Sequence, residues 1–137
     1  MRATRSGLFG VAMAAVLVAA ACGGDNSSSS APVSIPGKVN AHGTKDAKDG
    51  QTIEIEADDY YFGPSFLKGP AGAKVTVNLH NEGKAKHTFT IDDQKIDQSL
   101  DPDAKATVSV TLPASGFVVY YCHFHQDQGM QGALITA

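Results

Sequence analysis

Sulfur and arginine are scarce in this chain. Its 137 residues include two cysteines, Cys22 and Cys122, three methionines, and two arginines, Arg2 and Arg5, which lie at the N-terminus. Lysine and arginine total 11, so beyond the arginines nine lysines stand against 14 Asp and Glu residues, a formal charge of −5. A mildly acidic chain lacks the basic surface on which nucleic-acid binding depends. We therefore expect no nucleic-acid partner.

The chain also lacks an apolar run long enough to span a bilayer. Residues 8–21 form a short apolar run behind the basic Arg2 and Arg5. This arrangement predicts a secretory signal peptide of the lipoprotein type over residues 1–21, and not a transmembrane helix. Small residues at 19–21 lead directly into Cys22, which resembles a bacterial lipobox. We expect Cys22 to carry lipid and to anchor the exported protein to the cell membrane, facing the periplasm or the extracellular side.

Bulky apolar residues are few between residues 22 and 50, where Ser, Gly, Lys and Asp dominate. Such a composition predicts a flexible, disordered tether over residues 22–50, in which His42 is solvated. A disulfide from Cys22 to Cys122 would join this tail to the folded part, and lipid on Cys22 would prevent it. We therefore expect Cys122 to be a free thiol, which a bound metal protects in an oxidising compartment.

Residues 51–137 show no helical periodicity. Ile53 and Ile55 alternate with charged residues, and the same period-two pattern continues over residues 75–80 and 107–112. Alternation of this kind indicates short strands with one wet face. Turn sequences such as Gly63-Pro64 separate the segments. The pattern predicts one all-β domain over residues 51–137, a Greek-key β-sandwich.

A cluster of metal-binding residue types lies near the C-terminus. Alternation along residues 117–122 points Cys122 into the sandwich at the end of a strand, and Gly129 supplies the backbone freedom to fold Met130 back toward it. His87 follows a loop and opens another strand, and loops gather at the ends of a sandwich. Two His, one Cys and one Met are the ligands of a trigonal copper site with a weak axial sulfur. The predicted metal ligands are His87, Cys122, His125 and Met130.

These residues resemble a cupredoxin, the small blue copper protein family. The spacing Cys-x-x-His-x-x-x-x-Met is similar to that of the plastocyanin and pseudoazurin branch, and the likeness extends to residues 62–66 and 69–79. The resemblance implies one type 1 copper ion on the four ligands, with Met130 as the weak axial one and His125 nearest the surface. The family commonly has Asn directly after the first His ligand, where this chain has Thr88.

Electron transfer is the function that this ligand set favours. We expect a carrier that shuttles single electrons between redox protein partners such as a cytochrome, an oxidase or a reductase, and not an enzyme, because five scattered histidines cannot supply a second copper centre. Copper delivery or storage is the alternative, although it calls for more Met or for paired Cys. Zinc accepts one Cys and two His, but the thioether of Met130 prefers copper.

Other polar residues near the motif receive less specific interpretations. His123 is expected to be a half-exposed surface residue, because alternation points it away from Cys122, and His80 is expected to be solvated on the polar face of its strand. Tyr121 matches an exposed aromatic that some cupredoxins use near a docking face. Five acidic residues form either a docking patch for a basic partner or an ordinary solvated face: Asp92, Asp93, Asp97, Asp101 and Asp103.

Overall fold

The computed structural model describes residues 30–137. The predicted signal peptide over residues 1–21, the predicted lipid attachment at Cys22 and the first part of the predicted tether lie outside the described residues. Within residues 30–137, no helix is long and apolar enough to cross a membrane.

Ten strands and two single-turn 3-10 helices make up this part of the chain. The strands are β1 (Thr44–Asp46), β2 (Thr52–Asp58), β3 (Tyr61–Gly63), β4 (Phe66–Gly69), β5 (Lys74–Asn81), β6 (His87–Ile91), β7 (Ile96–Leu100), β8 (Lys105–Thr111), β9 (Phe117–Tyr121) and β10 (Gln131–Thr136). The 3-10 turns span Asp92–Gln94 and Gln126–Gln128.

The strands form two sheets. One has the order β1-β4-β10-β9-β6-β7 and the other the order β3-β2-β5-β8. The chain crosses from one sheet to the other between β1 and β2, on either side of β4, between β5 and β6, and on either side of β8. Several strands that are neighbours in space therefore come from distant parts of the sequence. The predicted all-β sandwich is confirmed.

The core lies between the two sheets. In β2 and β5 every second residue is buried, as the alternation predicts. Within this core three aromatic rings, those of Phe62, Phe89 and Tyr120, pack at centroid distances of 4.8 to 5.7 Å. The Tyr120 hydroxyl donates a hydrogen bond of 2.6 Å to the Ser65 carbonyl oxygen. Gly132 passes directly over this contact, where a Cβ atom would collide with the Ser65 carbonyl and the Tyr120 ring.

The segment before β2 belongs to the folded domain. Ile35 is buried against Phe66 and Ile135, and β1 pairs in parallel with β4. The Gln131 side-chain amide donates to the carbonyl oxygens of Pro36 and Lys38 at 2.9 and 2.7 Å. The predicted tether is therefore wrong over residues 33–50.

Composition alone did not predict this packing because the apolar residues of the segment are few and widely spaced. Val33, Ile35, Val39 and Ala41 nevertheless form a small second cluster against the outer face of the larger sheet. His42 at the end of the segment is exposed, as predicted, and its ring stacks on Tyr61 with a centroid distance of 3.5 Å.

Replacing Ile35 with Ala tests whether this segment is part of the fold. Removing a buried side chain of this size should lower the free energy of unfolding by about 2 kcal/mol, measured by urea denaturation. Ser34→Ala, a change at the exposed neighbouring position, is the matched control and should have little effect. Equal stabilities for the two variants would show that residues 33–41 do not contribute to the folded domain.

Candidate metal centre

The site forms where β6 and β9 meet. His87 is the first residue of β6, and Cys122 follows directly after the last residue of β9. These strands are antiparallel neighbours, with Thr90 opposite Tyr121. His87 and Cys122 therefore lie side by side although 35 positions separate them in sequence.

His125 joins them from the loop between β9 and β10. Its backbone N–H donates to the Cys122 carbonyl at 3.2 Å, which turns the chain back immediately after the cysteine. The 3-10 turn Gln126–Gln128 follows and ends at Gly129, whose φ of 102° is left-handed. Residues with a β-carbon rarely adopt this backbone angle. The space is also occupied, because a β-carbon at residue 129 would lie 2.8 Å from the Asn40 side chain.

Three donor atoms converge at the centre of this arrangement. His87 Nδ1 lies 3.2 Å from His125 Nδ1 and 3.8 Å from Cys122 Sγ, and His125 Nδ1 lies 3.5 Å from the same sulfur. A point equidistant from all three atoms is ~2 Å from each, within the range of bonds from His nitrogen or Cys sulfur to a first-row metal ion. His87 and Cys122 are completely buried, whereas His125 is half-buried.

Met130 follows Gly129 at the end of the same loop. Its backbone N–H donates to the His125 carbonyl at 3.1 Å, and its carbonyl accepts from the Cys122 N–H at 3.1 Å. The side chain is completely buried in the main core cluster. The loop thus folds the Met130 backbone back to Cys122, as predicted, and the role of Met130 as the axial ligand stays a prediction.

A carboxylate orients the His87 ring. Asp59 Oδ1 accepts a hydrogen bond of 2.9 Å from His87 Nε2, so Nε2 carries the proton and Nδ1 presents its lone pair to the other two donors. Burial lowers the pKa of His87, an effect that Asp59 opposes and His125 reinforces. The backbone N–H of Lys84 makes the largest contribution to lowering the pKa of Asp59. The carboxylate is thus ionised beside a neutral imidazole, the form that binds metal.

Thr88 joins the two halves of the site. Its backbone N–H points at Cys122 Sγ at 3.4 Å, and its hydroxyl oxygen accepts from the His123 N–H at 2.9 Å. The Thr88 hydroxyl then donates to Thr90 at 3.0 Å, because the Thr90 hydroxyl donates onward to Asp97 at 2.9 Å. Thr88 therefore ties β6 to the ligand loop at the position where the family commonly has Asn.

The surface residues mostly follow the sequence interpretation. The His123 side chain is 46% exposed with Nε2 3.4 Å from Asp97, which confirms the prediction. His80 is partly exposed but its Nδ1 contacts Glu82 at 3.1 Å, so it is not simply solvated. The Tyr121 hydroxyl donates to both carboxylate oxygens of Asp92, at 3.0 and 3.1 Å. A docking role for the acidic residues stays a prediction.

Sequence reasoning missed three residues that position the ligands. Asp59 binds His87, and the ring of Tyr60 lies 4.4 Å from that of His125. Asn40 donates from its side chain to the carbonyls of Tyr60 and Gln128, at 2.8 and 2.9 Å. The acidic and aromatic run at residues 58–61 was a visible signal for the first two, whereas nothing near Asn40 marks its role.

The chemistry of the donor set separates the candidate metals. Two imidazole nitrogens and one free cysteine suit zinc and copper equally well. The buried thioether of Met130 adds a soft donor, which favours copper. Of the described histidines, His42, His80 and His123 lie outside the cluster of metal-binding side chains, which comprises His87, Cys122 and His125.

Comparisons with known proteins agree with this assignment. The model of the cupredoxin-like domain family matches residues 12–136. Chloroplastic plastocyanin of Chlamydomonas reinhardtii is 32% identical over 97 residues, which cover 62% of this chain and 66% of the plastocyanin.

Two solved structures share the fold at low sequence identity. Reduced auracyanin of Roseiflexus castenholzii superposes with a TM-score of 0.55 at 19% identity, over 66% of this chain and 99% of the auracyanin. The metal-binding domain, with Cu(I), of the Cu(I)-exporting P-type ATPase CopA of Streptococcus pneumoniae gives a TM-score of 0.58 at 13% identity, over 69% and 96% of the two chains. The chain belongs to the cupredoxin-like family, and its His, Cys and Met residues fit one type 1 copper ion.

Proposed function

We propose that this protein is a blue copper electron carrier, which passes single electrons between redox protein partners and is not an enzyme. The observation that carries the proposal is the convergence of His87 Nδ1, His125 Nδ1 and Cys122 Sγ at mutual distances of 3.2 to 3.8 Å. Copper bound by these atoms supplies a couple between Cu(II) and Cu(I) that exchanges one electron.

The residues of the site favour rapid electron transfer because their side chains are held in place. His87, Cys122 and Met130 are completely buried and closely packed, and Asp59 and Thr88 hydrogen-bond to His87 and Cys122 respectively. Side chains that are fixed from several directions rearrange little when the charge of the site changes. Small rearrangement lowers the barrier to electron transfer, which is the property a carrier needs.

His125 is the proposed route for the electron. It is the most exposed of the three converging donors, and the neighbouring Tyr60 and Phe124 are 37% and 57% exposed. A partner such as a cytochrome, an oxidase or a reductase would approach at this end of the sandwich. The exposed rings of Tyr60 and Phe124 provide an apolar contact surface for such a partner beside the imidazole.

Membrane attachment at the outer face of the cell membrane completes the proposal. Lipid on Cys22 would tether the acidic domain, since acyl chains and not charge supply the membrane affinity. The folded domain starts near residue 33, so a segment of about ten residues would separate it from the lipid.

Copper delivery or storage is the alternative. Delivery requires a donor set that opens for transfer to an acceptor. Complete burial of His87, Cys122 and the proposed ligand Met130 works against ready exchange of the metal and favours the carrier.

The visible spectrum tests the proposal directly. We expect the protein to bind one Cu(II) and to show an intense thiolate-to-copper absorption band that disappears on reduction. Cys122→Ser should abolish the band, whereas Thr107→Ser, far from the site on β8, should leave it intact. A colourless copper complex, or tighter binding of zinc than of copper in competition, would contradict the assignment.

The axial role of Met130 is tested by Met130→Gln. An amide oxygen stabilises the reduced ion less well than a thioether does, so the variant should remain coloured and its reduction potential should fall by about 59 mV or more, equivalent to tenfold in relative affinity. If Met130 only fills the core, the buried amide should cost roughly 1–3 kcal/mol of stability and leave the potential unchanged.

The anchor is tested by Cys22→Ala in the full-length chain. The wild-type protein should sediment with membranes and the variant should be released, with the same copper spectrum, because the change removes only the acyl chains. Mass spectrometry of the wild type should show lipid on Cys22. Wild-type protein that is unacylated and remains in the supernatant would refute this part of the proposal.

A further inference from the structure

We infer that Asp59 is a positioning residue that sets the proton position and the electron density of His87, and thereby biases the site toward oxidised copper. The inference concerns a side chain outside the ligand set and rests on the proposed copper function for its electronic part. Its structural part, the orientation and protonation of the His87 ring, holds for the protein without metal.

Asp59 is fixed on the loop after β2 by contacts with the loop that precedes His87. Oδ2 accepts the Lys84 N–H at 2.9 Å, and Oδ1 accepts the Ala85 N–H at 3.2 Å together with His87 Nε2 at 2.9 Å. The carboxylate therefore fastens the His87 ring and the backbone that leads to it in one arrangement. Its side chain is 25% exposed while that of His87 is fully buried, so the charge lies at the edge of the dry site.

The space beside the hydrogen bond between Asp59 and His87 has no room for a further side chain. Gly83 is buried, and a Cβ atom there would overlap the Asp59 carboxylate and lie 2.9 Å from His87 Nε2. The need for glycine is spatial, because a side chain at this position and the Asp59 to His87 hydrogen bond cannot coexist. This observation is independent of the hydrogen-bond distances. It indicates that the surrounding chain accommodates the contact between Asp59 and His87.

The two histidines consequently differ in electronic character. A histidine that donates its second N–H to a carboxylate is a more basic metal ligand, and the added negative charge stabilises the higher oxidation state of the metal. Within residues 30–137, the ring of His125 contacts Tyr60, His87, Phe124 and Cys122, none of which is a carboxylate. His87 is thus the ligand through which the protein lowers the potential, and His125 is the ligand that faces the partner.

The variant Asp59→Asn removes the charge of the side chain while keeping its shape. An amide oxygen can still accept from His87 Nε2, but the charge is lost and the amide nitrogen cannot accept from Lys84. We expect the ratio of Cu(II) to Cu(I) affinity to fall by about tenfold, an increase of about 59 mV in the reduction potential. Asp93→Asn is the matched control: it removes the same charge from an exposed position and should shift the potential much less.

Nitrogen-15 NMR of the metal-free protein tests the structural part without copper. At pH 8, where imidazole is neutral, wild-type His87 should be protonated at Nε2. Gly83→Ala keeps the Asp59 charge but fills its space, and this variant should lose that preference and show a raised potential when loaded. The measurement on the wild type needs no variant to fold.

Three results would overturn the inference: a wild-type His87 protonated at Nδ1, equal potentials for Asp59→Asn and Asp93→Asn, or an unchanged tautomer in folded Gly83→Ala. Failure of the wild type to show the blue absorption band would instead reject the proposed function. In that case two measurements still decide whether Asp59 positions His87: the NMR result, and the zinc affinities of the wild type and of Asp59→Asn. A 10- to 100-fold lower zinc affinity of the variant supports the positioning role.

Discussion

The antiparallel contact between β6 and β9 is the interaction on which the rest of the site depends. It places the first residue of one strand, His87, beside the residue that follows the other, Cys122. Thr88 strengthens the junction with a backbone N–H aimed at the sulfur and a hydroxyl that accepts from His123. The protein's own hydrogen bonds thus set the separation of thiol and imidazole, because the strands cannot slide without breaking them.

A second layer of contacts fixes the loop that carries His125 and Met130. Asn40 lies at its centre, since its side chain binds the carbonyls of Tyr60 and Gln128 and its backbone N–H binds that of Gly129 at 2.8 Å. Asn40 therefore joins this loop, which connects β9 to β10, to the segment before β1 and to the turn after β2. Support from two other parts of the chain explains how a loop can present ligands with the precision of a strand.

Polarity is distributed unevenly across the centre. The inner side is dry, where burial lowers the pKa of His87 and keeps the ring neutral, whereas the outer side carries the ionised Asp59, half-buried His125 and exposed Phe124. A charge at the boundary remains partly hydrated, so it avoids the full cost of burial. It still acts on the buried imidazole because the two groups are in direct hydrogen-bond contact at 2.9 Å.

The sequence by itself determined most of the strands and the kinds of ligand. Side-chain alternation reports which face of a strand is apolar, and thiol, thioether and imidazole keep their preference for metals such as copper wherever they lie. The tertiary structure alone decided that residues 33–50 pack on the sheet, that Asp59 meets His87 and that Asn40 supports the ligand loop. These contacts join residues 28 and 88 positions apart. Sheet order and register decide which such residues meet, and local periodicity contains neither.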